Sequence, residues 1–129
     1  MKKVIIALLM MGFLVSCHTN PPTQRINHVV FCWLKDSGDK VKRAQLIQVS
    51  KDFAKIPGVL EVRAGEMVPS KRPIVDSSYD VAIFLSFHTE ADLNAYLTHP
   101  DHVAAVKSIL KPYTSKVLVY DFIEKLKAE

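Results

Sequence analysis

The chain has 129 residues, 49% of them hydrophobic, with 17 lysines and arginines against 13 aspartates and glutamates. That length holds one compact domain and little more, and a formal charge of +4 with no arginine-rich run or aromatic-interleaved basic patch argues against nucleic acid as a partner. Two cysteines are too few for a disulfide-stapled scaffold, and the absence of a Gly-rich phosphate loop, a nucleophile elbow, Cys-x-x-Cys or His-Glu-x-x-His leaves no expected cofactor or metal site.

In chain order, Lys2 and Lys3 precede an uninterrupted apolar run from Val4 to Val15. The run falls short of the ~20 apolar residues that a helix needs to cross a bilayer. Its end, Leu14-Val15-Ser16-Cys17, resembles a bacterial lipobox. The resemblance implies a lipoprotein signal peptide over residues 1–16 and a Cys17 that becomes the lipidated first residue of the mature chain. More than one acyl chain there gives stable membrane attachment. The implied location is the bacterial cell envelope, facing the periplasm or the exterior. His18 rather than Asp after the cysteine resembles lipoproteins destined for the outer membrane of Gram-negative cells. Loss of Lys2 and Lys3 lowers the net charge of +4 by two, and Cys32 is left as a lone cysteine in an apolar strand pattern, read as a small buried hydrophobe. Residues 17–25, with Pro21-Pro22, read as a lipidated, extended tether.

The folded domain spans residues 26–123, followed by a charged tail over 124–129. Residues 26–34, rich in β-branched and aromatic types, predict a strand. Asp36 to Asp39 offer helix caps, and Val41, Leu46, Val49, Phe53 and Ile56 recur at helical spacing until Pro57-Gly58. Val59 to Val68 alternates as a strand, residues 69–78 form a loop, and Tyr79 to Phe87 make a third strand. Thr89 to Asp92 resemble a capping box that opens a helix to about Leu97. Pro100 suits the first position of another helix, expected to end before Pro112, and Ser115 to Ile123 form the last strand.

This β-α-β-β-α-β order predicts an α+β, ferredoxin-like domain with a four-stranded antiparallel sheet. Helices would cover one face of that sheet. Yet both faces are apolar: His28, Val30, Cys32 and Leu34 oppose Val29, Phe31 and Trp33, and Val117 and Val119 oppose Leu118, Tyr120 and Phe122. A second copy of the sheet is the economical cover for the other face, which predicts a face-to-face homodimer.

Five short segments carry a family resemblance: Ile26 to Phe31, Ile56 to Val59, Tyr79 to Ala82, Ala95 to Val103 with its Tyr-x-x-His-Pro-x-His pattern, and Val117 to Phe122. Together they resemble the stress-responsive A/B barrel (Dabb) family of the dimeric α/β barrel superfamily. The resemblance implies a homodimer whose two sheets form a barrel. In a plant polyketide cyclase of this kind the catalytic histidine and tyrosine lie in the Tyr-x-x-His-Pro-x-His segment. This carries over to Tyr96 and His102, and His28 matches a further active-site histidine on the first strand. Another histidine of that cyclase stands on the third strand, where this chain has Val81.

His28, Tyr96 and His102 are therefore the candidate catalytic residues. Independently of the resemblance, His102 falls in the first turn of a helix opened by Pro100, where the helix dipole favours a neutral imidazole able to act as a base. The same residues also fit a structural role, with His99 and His102 orienting a helix and His28 making one core hydrogen bond. His99 and His102 lack a third metal ligand at helical spacing. Two functions stand: a membrane-anchored protein binding a small apolar or aromatic molecule, or an enzyme, cyclase-like or monooxygenase-like, with a histidine and tyrosine pocket.

Overall fold

The computed structural model describes residues 23–127, so the expected signal peptide, Cys17 and most of the expected tether lie outside the described residues. The elements are β1 (Gln24–Leu34), α1 (Lys40–Asp52) closed by a 3-10 turn (Phe53–Lys55), β2 (Val59–Glu66), β3 (Val81–Phe87), α2 (Glu90–Thr98), α3 (Pro100–Ala105), a π turn (Val106–Leu110), α4 (Lys111–Tyr113) and β4 (Thr114–Lys125). The strands form one antiparallel sheet in the order β2-β3-β1-β4, the ferredoxin-like arrangement.

Local chemistry explains the boundaries. The Asp39 carboxylate accepts the Lys42 backbone N–H at 2.9 Å, which caps α1 and holds that carboxyl below its ordinary range. At α2 the capping box is reciprocal, since Thr89 Oγ1 accepts from the Asp92 N–H and Asp92 accepts from the Thr89 N–H, both at 3.1 Å. Pro100 opens α3, and His99 Nδ1 accepts the Asp101 N–H at 3.2 Å. Strand ends move by one or two residues from expectation, with β2 stopping at Glu66, β3 starting at Val81 and β4 running on to Lys125 into the expected tail. The larger difference is that the helical path continues through Pro112 to Tyr113. A proline inside an α-helix strikes the carbonyl four residues back and leaves it unpaired. Here the Lys111 N–H donates to Val106 O, five residues back, and this widened π turn shifts the register just ahead of Pro112. Thr114 Oγ1 then donates to Leu110 O at 2.7 Å and closes the end.

The core lies between the inner sheet face and the helices, with Cys32, Val81, Leu85 and Phe87 fully enclosed against Leu46, Phe53 and Leu93. Burial, then the nearby Asp80 charge, pushes the Cys32 thiol up to about 12, so it packs as a protonated hydrophobe. The inward stripe of α1 begins at Leu46, a turn later than expected, while Val41 remains 67% exposed. Asp80 precedes β3 rather than opening it. It is buried, accepts the Leu34 N–H at 2.7 Å and lies 3.6 Å from the Arg43 guanidinium, tying α1 to the end of β1. The helices stop short of β4, where Val117 and Val119 stay 37% and 45% exposed on the inner face.

Gly58 supplies the one positive φ, +88°, among the described residues, and a Cβ added there would sit 3.2 Å from the Asp92 Cβ. Gly58→Ala therefore meets both backbone strain and a crowded neighbour. Denaturant unfolding is expected to show a loss of about 1–3 kcal/mol; unchanged stability would contradict the strained turn.

Candidate functional site

Strand parity directs His28 to the inner face, and the β1–β4 register sets it opposite Asp121. His28 Nδ1 lies 2.6 Å from Asp121 Oδ1, with the imidazole almost enclosed and the carboxylate at the open edge. A carboxylate only accepts, so Nδ1 carries the hydrogen. α2 contributes Tyr96, only 2% exposed, whose ring centroid lies 4.4 Å from His102, 5.3 Å from Phe87, 5.6 Å from Phe53 and 6.1 Å from His28. Burial pushes its phenol far above the ordinary tyrosine range, so the hydroxyl stays neutral.

The first turn of α3 places His102 Nδ1 3.0 Å from the Leu97 carbonyl, which again only accepts. His102 is held below the ordinary imidazole range first by burial, with a smaller push from a charge on His28; the Leu97 hydrogen bond opposes both. The residue pattern alone pointed to the helix dipole. In the folded chain desolvation is the leading cause, and the outcome is still a neutral ring near pH 7.

These three side chains converge on a cavity of about 180 Å³ between α1, the α3–π stretch and the β1–β4 edge. Leu46, Phe53, Val106 and Leu110 supply its helical walls, while Val117 and Val119 sit at the open side. Ser50 is also at the wall, but its hydroxyl is turned to Leu46 O at 2.7 Å. Val81, standing where the cyclase has a histidine, is packed wholly into the core. His99 is committed to capping α3, and among the described residues no three or more His, Cys, Asp or Glu gather as metal ligands.

Asp121 escaped the sequence reading. Its signal was parity: it shares the inner face of β4 with Val117 and Val119, one charge on an apolar row. The Leu97 carbonyl left no signal, since backbone direction at a helix junction is set by the fold. With two imidazoles fixed through Nδ1 and a neutral phenol between them, the site can donate or accept hydrogen bonds and can take a proton on the free Nε2 of His102.

A ferredoxin-like domain whose helices leave a half-open, histidine-lined cavity at one sheet edge is the class that fold and site define. The chain belongs to the stress responsive A/B barrel domain (Dabb) family, whose model matches residues 26–124. It is similar to a stress-response A/B barrel domain-containing protein of Arabidopsis thaliana, 27% identical over 112 residues; the match covers 87% of this chain and spans 41% of that protein's length. Among solved structures, a Dabb family protein with a ferredoxin-like fold from Mesorhizobium loti is 26% identical with a TM-score of 0.64, over 77% of this chain and 95% of that one. A dimeric ferredoxin-like protein of unknown function from Thermobifida fusca, 24% identical, matches at 0.62 over 77% and 90%. The hydroxynitrile lyase of Passiflora edulis, 22% identical, matches at 0.66 over 84% and 100%. The last two likenesses are of fold alone.

An NMR titration should give His102 a midpoint below the ordinary imidazole value of ~6.5. His28→Asn should raise it, because the like charge is removed. Since the folded state depresses this pKa, the unfolded chain binds the extra proton first. The stability His102 confers is present above the unfolded value and is lost as pH falls through the folded one. A midpoint above the ordinary value would overturn the neutral-ring assignment.

Proposed function

We propose that this protein is a lipid-anchored, homodimeric stress-responsive A/B barrel protein of the bacterial cell envelope that binds a small apolar or aromatic molecule in the cavity around His28, Tyr96 and His102. The observation that carries the reading is the cavity itself, where polar groups from β1, α2 and α3 meet in apolar walls. Small-molecule sites have this composition: apolar linings with a few converging polar groups. The Leu14 to Cys17 segment supports anchoring at Cys17, with the outer membrane as the destination in a Gram-negative cell. No helix among the described residues is long and apolar enough to cross a membrane.

The outer sheet face supports the dimer. Phe31 stacks edge-on with Tyr79 at 4.9 Å and with Tyr120 at 6.4 Å, and Tyr120 and Phe122 remain about half exposed. An aromatic face of that kind is better covered by a second sheet than by water. The dimeric Thermobifida fusca structure has the same fold.

A second reading, an enzyme of the cyclase-like or monooxygenase-like kind, is favoured by the His28–Asp121 pair beside a neutral His102, an arrangement fit for general-base work. The lyase from Passiflora edulis shows chemistry hosted by this fold. Ligand screening on residues 25–129, with and without His102→Ala, tests both readings. Binding or turnover should fall far more than the melting temperature. A change confined to stability, about 1 kcal/mol for one hydrogen bond, would return His102 to a structural role.

Two further outcomes test the assembly and the anchor. Phe31→Glu should convert a sedimenting dimer into monomer, because an unpaired charge between sheets costs several kcal/mol; a wild-type monomer at micromolar concentration would contradict the dimer. Cys17→Ser should stop incorporation of labelled fatty acid and leave the precursor unprocessed. Continued labelling would end the anchor proposal.

A further inference from the structure

The cavity presents an unusual hydrogen-bonding inventory. Both imidazoles use Nδ1 as the donor, His28 to the Asp121 carboxylate and His102 to the Leu97 carbonyl. His102 is held neutral, and a neutral imidazole has one donor and one acceptor, so its Nε2 is left as an acceptor. Tyr96, between them, is almost wholly buried. Desolvation alone shifts its pKa, and no hydrogen bond to its hydroxyl occurs among the described residues. The oxygen is not among the enclosed polar atoms left without a partner, so it opens on the cavity that Tyr96 lines and is free to bond a guest there.

Resting on the reading of this cavity as a ligand site, we infer that its ligand is a neutral single-ring phenol. A phenolic hydroxyl has one hydrogen to give and lone pairs to receive. It donates to the His102 Nε2 and accepts from the Tyr96 hydroxyl, satisfying groups that the protein leaves open. An ether or ketone lacks the donor. A carboxylate meets two lone pairs and only one hydroxyl, and must also shed its hydration in an apolar enclosure.

Size and shape agree. A dry cavity of roughly 150 Å³ holds a benzene ring in a well-studied case, so about 180 Å³ admits one ring with a small substituent. The rings of Phe53, Tyr96 and His102, with centroids 4.4–5.6 Å apart and mutually tilted, form an aromatic wall suited to an aromatic guest. The open side over Val117 and Val119 lets a longer substituent leave toward solvent. Asp121 acts here as a positioning residue, since it sets the His28 tautomer from outside the cavity.

The test uses the full chain in detergent with ¹⁵N-labelled histidine, because imidazole ¹⁵N shifts report tautomer and ligand contact together. Four probes of similar bulk are titrated: 4-methylphenol, 4-methylanisole, toluene and 4-methylbenzoate. The free protein should show both rings protonated on Nδ1. 4-Methylphenol should move both Nε2 signals saturably, with toluene and 4-methylanisole about tenfold weaker, the worth of one hydrogen bond, and 4-methylbenzoate weakest. Asp121→Ala should mix the His28 tautomers and shrink the preference for the phenol over the anisole, which a purely structural role for Asp121 would not do. Toluene or the anisole binding as well as the phenol, the benzoate binding best, or Nε2–H on both rings would overturn the inference while leaving a ligand site in place. If no probe moves either histidine, the ligand-site reading fails and this inference with it.

Discussion

β4 joins the sheet through β1 alone, and the register of that one ladder determines what both faces of the domain present. Val30 faces Val119, His28 faces Asp121 and Ile26 faces Ile123 across it. A slip of one residue would turn every β4 side chain to the opposite face. Asp121 would then lie among the outer aromatics, and Tyr120 would turn to the inner face beside His28. The register is pinned at its far end by a bulge between Trp33 and Leu34, where the Ser115 hydroxyl reaches Trp33 O at 3.3 Å and Leu34 O at 3.4 Å.

The two faces that this ladder separates are both apolar, yet they are finished differently. The inner one is closed by helices over β1, β2 and β3 and left open over β4, so its gap is lateral and small. The outer one is a platform of aromatic rings bordered by cations: the Lys116 ammonium stands 4.2 Å over the Trp33 ring and the Arg63 guanidinium 5.6 Å over Phe84. A small guest suits the first and an extended, self-complementary surface the second. Placing both demands on one sheet is possible because side chains alternate strictly along each strand.

Much of the frame was legible in the sequence because its causes are local. Asp39, the Thr89–Asp92 box, Pro100 and Gly58 act through neighbours a few residues away, so their effects could be read directly. The faces of β1 followed from parity, which also brought His28 to the inner side. What escaped depends on pieces meeting across the fold. His28 and Asp121 are 93 positions apart, and their pairing exists only once β1 and β4 are in register. The cavity is a gap between elements, and a residue pattern describes surfaces rather than the spaces between them. Pro112 misled for a similar reason: proline normally ends a helix, and only the π turn from Val106 to Leu110 makes room for it.

The chain enters the domain through β1, which is a central strand hydrogen-bonded on both sides, and the last strand ends beside that entry, with the Leu126 N–H donating to Thr23 O at 2.9 Å. Ladder bonds in an antiparallel sheet run perpendicular to the strands. A pull arriving along residue 23 into β1 is therefore directed along the strand and loads the β3 and β4 ladders together, in shear. Bonds stressed in that direction yield jointly, whereas an edge strand pulled outward would peel open one bond at a time. A domain held from this end is mechanically attached at its toughest grip, and its sheet would resist tension on whatever precedes it in the chain.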